Sequence, residues 1–169
     1  MSTMTNLFEK LIQERTLLLD AITTLPEALL DEKGVVGEWS IKNVLAHLTG
    51  WERIVEDFLP DRLATGIRPA VFSIMSADED AWNAQQVASG EHLTPKEQLG
   101  EFERARQALV QVLDDAGEEA LNRQCPWPEW QGTLATYILE QVGDHECEHR
   151  EAVLAAVERL RERLKTQEE

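Results

Sequence analysis

Apolar residues recur every three or four positions through most of this chain, and that spacing constrains its fold more than any other feature. Leu7, Phe8, Leu11, Leu18 and Ile22 fall on one helical face, as do Leu99, Phe102, Leu109 and Val112. No Asn-Gly or Asp-Gly hairpin signal flanked by alternating residues interrupts the pattern. The chain therefore reads as all-α. With 169 residues it is long enough for one hydrophobic core and too short for two, so a single domain over residues 1–169 is expected.

Start and stop signals divide the pattern into elements. The first helix runs from about Thr5 to Thr24 and ends at Pro26. An acidic connector, EALLDEKGVVGE, is broken by Gly34 and Gly37. Ser40 caps the second helix, with Trp39 placed to staple onto Val44, and Pro60 marks its end. An irregular stretch, DRLATGIRPAVFSIM, precedes a shorter helix opened by Ser76 with Glu79 as its capping-box partner and closed by ASGEHL. Thr94-Pro95-Lys96-Glu97 combines an N-cap, a first-turn proline and a box glutamate, and the helix it opens stops near Gly117. After the link CPWPEWQG, the last helix spans about Thr133 to Leu164, about 48 Å long. The architecture expected is a four-helix bundle with one short extra helix between the second and third long helices.

Composition narrows the function. No apolar run approaches the roughly 20 residues of a membrane span. The N-terminal segment, carrying Glu9, Lys10, Glu14 and Arg15, does not read as a signal peptide, so a cytoplasmic location is expected. Two cysteines, Cys125 and Cys147, agree with a reducing compartment. A net charge of -16 repels phosphate backbones and anionic lipids, which argues against nucleic acid or a membrane as partner.

Histidines stand where the seams call for apolar residues. The inward stripe of the last helix reads Ile138, Val142, His145, His149, Ala152, Ala156, and that of the second reads Val44, His47, Trp51, Ile54, Phe58. His145 and His149, one turn apart with Cβ atoms about 6 Å from each other, can share a divalent cation with His47 from a facing helix. The competing reading is three hydrogen-bonded core histidines. Burying three such rings without a shared partner costs several kcal/mol, which favours the metal. A three-nitrogen site keeps coordination positions open and can lower the pKa of a water or thiol. Cys147 lies about 200° round the helix from either histidine, is excluded from their metal, and reads as a packed small residue. Cys125 and His92 read as loop residues. Of Asp144, Glu146, Glu148 and Arg150, which flank the stripe, only Glu148 is a candidate base, and the other three read as a solvated face. Trp51, one turn beyond His47, is a candidate wall for a bound co-substrate. Asp80, Asn83 and the aromatics of WPEW are assigned no role.

The runs GEWSIKNVLAHLTGWE and HECEHR together resemble the DinB-like (DinB/YfiT-like) superfamily of four-helix-bundle proteins, which includes bacillithiol and mycothiol transferases and maleylpyruvate isomerases. The similarity covers nearly the whole chain. DEDAWNAQQVA and CPWPEWQG also resemble the colibactin-resistance (ClbS/DfsB-like) branch. The resemblance implies one zinc or nickel ion on His47, His145 and His149, a homodimer, and a stress-related transferase acting on a small-molecule substrate. It favours bacillithiol, mycothiol or glutathione as thiol co-substrate, entering beside Trp51. The alternatives are a non-catalytic protein that sequesters a toxic ligand and a ClbS-like hydrolase.

Overall fold

The computed structural model describes residues 3–62, 77–125 and 130–168. Helices make up nearly all of them: α1 (Thr3–Ile22), α2 (Glu27–Leu30), α3 (Ile41–Arg62), α4 (Glu79–Ser89), α5 (Pro95–Leu121), α6 (Leu134–Ile138), a π-helical turn (Leu139–Asp144) and α7 (His145–Glu168). Among the described residues extended structure is limited to two isolated bridges, Val36 with Trp39 and Gln124 with Thr133, so the fold is all-α. The stretch DRLATGIRPAVFSIM beyond Arg62, the Ser76 cap and Trp127 lie outside the described residues.

The long helices α1, α3, α5 and the run from α6 to α7 pack as a bundle, with α1 touching α5 and α7, and α3 touching the same two. Thus α1 faces α3 across the axis. The lower core gathers Leu7, Leu11, Val55, Leu59, Leu109, Leu113 and Ile138, and the upper core gathers Leu18, Ile22, Ile41, Leu45, Phe102, Val153 and Val157. From Ile41 to Gly50 every residue of α3 is buried, because α4, α5 and α7 pack against it.

Local chemistry sets the boundaries. Ser40 Oγ accepts from Asn43 N at 3.1 Å while Asn43 Oδ1 accepts from Ser40 N at 3.0 Å, a reciprocal cap that opens α3. That helix runs two residues past Pro60, where it was expected to end. The Thr94–Glu97 capping box forms as its residue types require. Asp78 caps α4 by accepting from Ala81 N at 3.0 Å. Gly117 breaks α5 with φ 77° and ψ 164°, a left-handed conformation that a side chain would strain, and one further turn follows it.

The last helix departs most from expectation. Its wide π turn ends where His145 begins. Gly143 lies in that turn close against α1, since a Cβ there would stand 3.4 Å from Lys10 Cγ and 3.7 Å from Leu11 Cδ2. Beyond His149 the buried stripe is Val153, Ala156, Val157 and Leu160, whereas Ala152, placed inward from sequence, is exposed.

Candidate metal centre

His47 is carried by the fully buried half of α3 and is itself only 2% exposed. His145 opens α7 and His149 follows one turn later. Their Nε2 atoms converge: His145 Nε2 is 3.2 Å from His47 Nε2 and 3.1 Å from His149 Nε2, and one nitrogen from each ring lies within 4.8 Å of the others. With metal–nitrogen bonds of about 2.0–2.1 Å, tetrahedral ligand atoms stand about 3.3–3.4 Å apart and octahedral ones about 2.9 Å. Both measured edges fall within that span. The donor set therefore fits one divalent transition metal.

Electrostatics favours the ligating form of each ring. Burial, with repulsion from the other two imidazoles, pushes His47 down to about 3, and burial with repulsion from His149 pushes His145 down to about 4. His149 is lowered by burial as well, against an opposing pull from Glu148. All three are neutral at physiological pH, which leaves lone pairs for a cation. Among the described residues His47 Nδ1, which is buried, has no hydrogen-bond partner, so none of their side chains fixes its tautomer.

Two tryptophans flank the cluster. Trp51 stands with its ring centroid 5.1 Å from that of His145, on the side chosen from sequence. Trp39 belongs to the apolar cluster containing Val44, as a staple should, and its ring also lies 5.2 Å from His47 and stacks at 6.4 Å on His149. That second role of Trp39 was not foreseen. Trp51 and His145 line an open cleft of about 460 Å³ together with Glu79, Glu140, Gln141, Asp144 and Glu148. Glu148 is exposed on its wall. Cys147 Sγ is turned to Arg150 Nη2, 3.4 Å away, and Cys125 is buried, its N–H donating to Gly132 O at 2.8 Å. His92 is exposed in the turn after α4.

The flank of the histidine stripe requires a correction. Glu146, assigned to a solvated face, is 1% exposed and belongs to a buried ionic quartet with one member from each long helix. Arg15 Nε donates to Glu146 Oε1 at 2.8 Å, and Arg106 Nη2 donates to Glu52 Oε1 at 2.6 Å. Arg15 also pairs with Glu52, and Arg106 with Glu146. The spare guanidinium N–H groups reach main-chain carbonyls, Arg15 that of Phe102 and Arg106 that of Leu11. Arg15 further covers the Phe102 ring at 3.2 Å. Two positive and two negative charges cancel, which is what makes their burial tolerable. Arg150 is likewise not solvated: its Nε donates to buried Glu14 at 2.8 Å. Asp144 is exposed, as expected.

Neither the curated proteins nor the solved structures include a match to this chain. The family model described as the DinB superfamily matches residues 10–153, which is most of the chain. With its helical bundle and converging histidines, this protein belongs to the DinB superfamily.

Proposed function

We propose that the protein is a divalent-metal-dependent transferase that presents a low-molecular-weight thiol, or a water, to a small electrophile. The observation that carries this reading is the convergence of three neutral imidazole nitrogens beside an open cleft. A bound zinc or nickel ion would supply Lewis acidity and lower the pKa of a thiol or water next to it. His47, His145 and His149 hold the cation, with His47 anchored in the buried half of α3. Trp51 forms the apolar wall against which a co-substrate lies. Glu148, exposed on the cleft beside His149, is the residue placed to take a proton from the incoming nucleophile. The cysteines are not needed, since Cys147 faces Arg150. The resemblance to the transferases of the superfamily supports a single-domain homodimer working in the cytoplasm.

Cobalt substitution tests this directly. Untagged protein is expected to take up one cobalt per chain, and thiol addition is expected to produce a sulfur-to-cobalt charge-transfer band that survives Cys125→Ser with Cys147→Ser. Ala at any one histidine should reduce cobalt occupancy sharply. Uptake unchanged in the triple alanine variant places the metal elsewhere, and a loaded protein that shows no band with any thiol returns the choice to water or to ligand sequestration.

A further inference from the structure

The cleft beside the candidate metal centre is strongly one-signed. Its floor is His145 and Trp51, and its rim carries Glu79 from the first turn of α4, Glu140 and Asp144 from the π turn, and Glu148 from α7. Among the described residues no lysine or arginine lines it. Among the described residues, Asp144 has one ion-pair partner, Lys10, whose Nζ lies 3.9 Å from Asp144 Oδ1 and is engaged by Glu14 at 2.9 Å. Glu79, Glu140 and Glu148 form no ion pair with any described residue.

Exposed carboxylates alone would be a solvated surface. Two further features make them the mouth of a site. His145, one of the three rings whose Nε2 atoms converge, lines the cleft and is reached from outside there. Trp51, with its Nε1 buried, lines the cleft with its indole, an aromatic ring of the kind whose π face attracts cations.

We propose that this cleft selects a small molecule bearing an ammonium group, held between the carboxylate rim and Trp51 while its donor atom reaches the metal. The inference rests on the metal reading above and narrows its co-substrate: a ligand of net positive charge is favoured over one of net negative charge such as glutathione, whose two carboxylates outweigh its single ammonium group. The concave, low-dielectric wall focuses the field of the four carboxylates on the mouth. Summed over charges at about 8–10 Å and screened by salt, that field separates a cationic from an anionic ligand by about tenfold in affinity at low ionic strength.

The test uses cobalt-loaded protein and three ligands that bind through an imidazole nitrogen, so that it does not depend on thiol chemistry: aminopropylimidazole, propylimidazole and imidazolylpropionate. Affinity is read from the visible cobalt spectrum. The ratio of ammonium to carboxylate ligand is compared between the wild type and a Glu79→Gln, Glu140→Gln, Asp144→Asn variant, which cancels differences in intrinsic basicity. The expected result is a ratio about tenfold higher in the wild type, falling toward that of the variant in about 0.5 M salt, with propylimidazole bound equally by both. Equal ratios in wild type and variant overturn the inference and leave the metal reading standing. A protein that takes up no cobalt overturns both.

Discussion

Replacing Glu146 by Gln tests the most consequential buried interaction. The substitution keeps the shape and an accepting oxygen but removes one negative charge from a site 1% exposed. Among the described residues Arg15 and Arg106 then share Glu52 as their one carboxylate, and a quartet that summed to zero carries one buried positive charge. Breaking a buried pair from one side costs about 3–5 kcal/mol, because the group left behind stays desolvated. The retained oxygen of Gln and the carbonyls of Phe102 and Leu11, which still accept from the guanidiniums, place the expected loss at the lower end, about 3 kcal/mol. For a chain of this length that corresponds to a fall in Tm of about 6–12 °C. Urea denaturation of the chelator-treated protein measures it without interference from metal. Adding Arg106→Gln restores neutrality, so the double variant should be more stable than the sum of the singles by about 1–3 kcal/mol. Glu148→Gln, two residues away and exposed, should stay within about 0.5 kcal/mol of wild type. If Glu146→Gln also falls within that margin, or if the two losses add, the quartet is not a coupled unit.

Metal should stabilise the fold without being required for it. At a free zinc concentration about a hundredfold above Kd, mass action adds about 2.7 kcal/mol, or about 5–11 °C in Tm, while the chelated protein keeps its helical circular dichroism; complete unfolding in chelator would contradict this. In that chelated protein, burial holds His47 near 3 and His145 near 4 against the ordinary 6.5, so the unfolded chain binds protons first as the pH falls. Stability contributed by keeping them neutral is complete above about pH 6.5 and is lost progressively down to about pH 3, by on the order of several kcal/mol. A His47→Gln, His145→Gln variant should show a flatter profile across that window, and parallel profiles would refute the assignment.

Much of this was legible in the spacing of the chain. Capping residues at Ser40 and Thr94, the break at Gly117 and the seam positions of His47, His145 and His149 are local signals, and each appears where its chemistry places it. The ionic quartet was written in the same notation and was passed over. Leu11-Arg15-Leu18-Ile22, Leu48-Glu52-Val55-Leu59, Phe102-Arg106-Leu109-Leu113 and Val142-Glu146-His149-Val153 all step by four, three and four, so one charge sits in every seam. A charge in a seam finds its meaning only from partners on other helices, and no single helix states which partner it meets. The misplacement of Ala152 has a different origin. Counted from His149 inside the regular α7, a step of three reaches Ala152 and a step of four reaches Val153; the alternation of four and three picked the first, whereas the buried face takes the second.

An apolar seam tolerates sliding: Leu against Leu one turn along, about 5.4 Å, is again Leu against Leu. The ionic quartet does not tolerate it, because such a slip would draw a guanidinium off its carboxylate and strand both in the core. The four helices are thereby pinned at a common height, five residues along α3 from His47 and immediately beside His145 on α7. The nitrogen spacings of 3.1 and 3.2 Å at the histidine cluster depend on the axial alignment of two helices that apolar packing alone would leave loosely indexed. In this protein the charges that never meet a ligand supply the alignment that the ligand-facing nitrogens use.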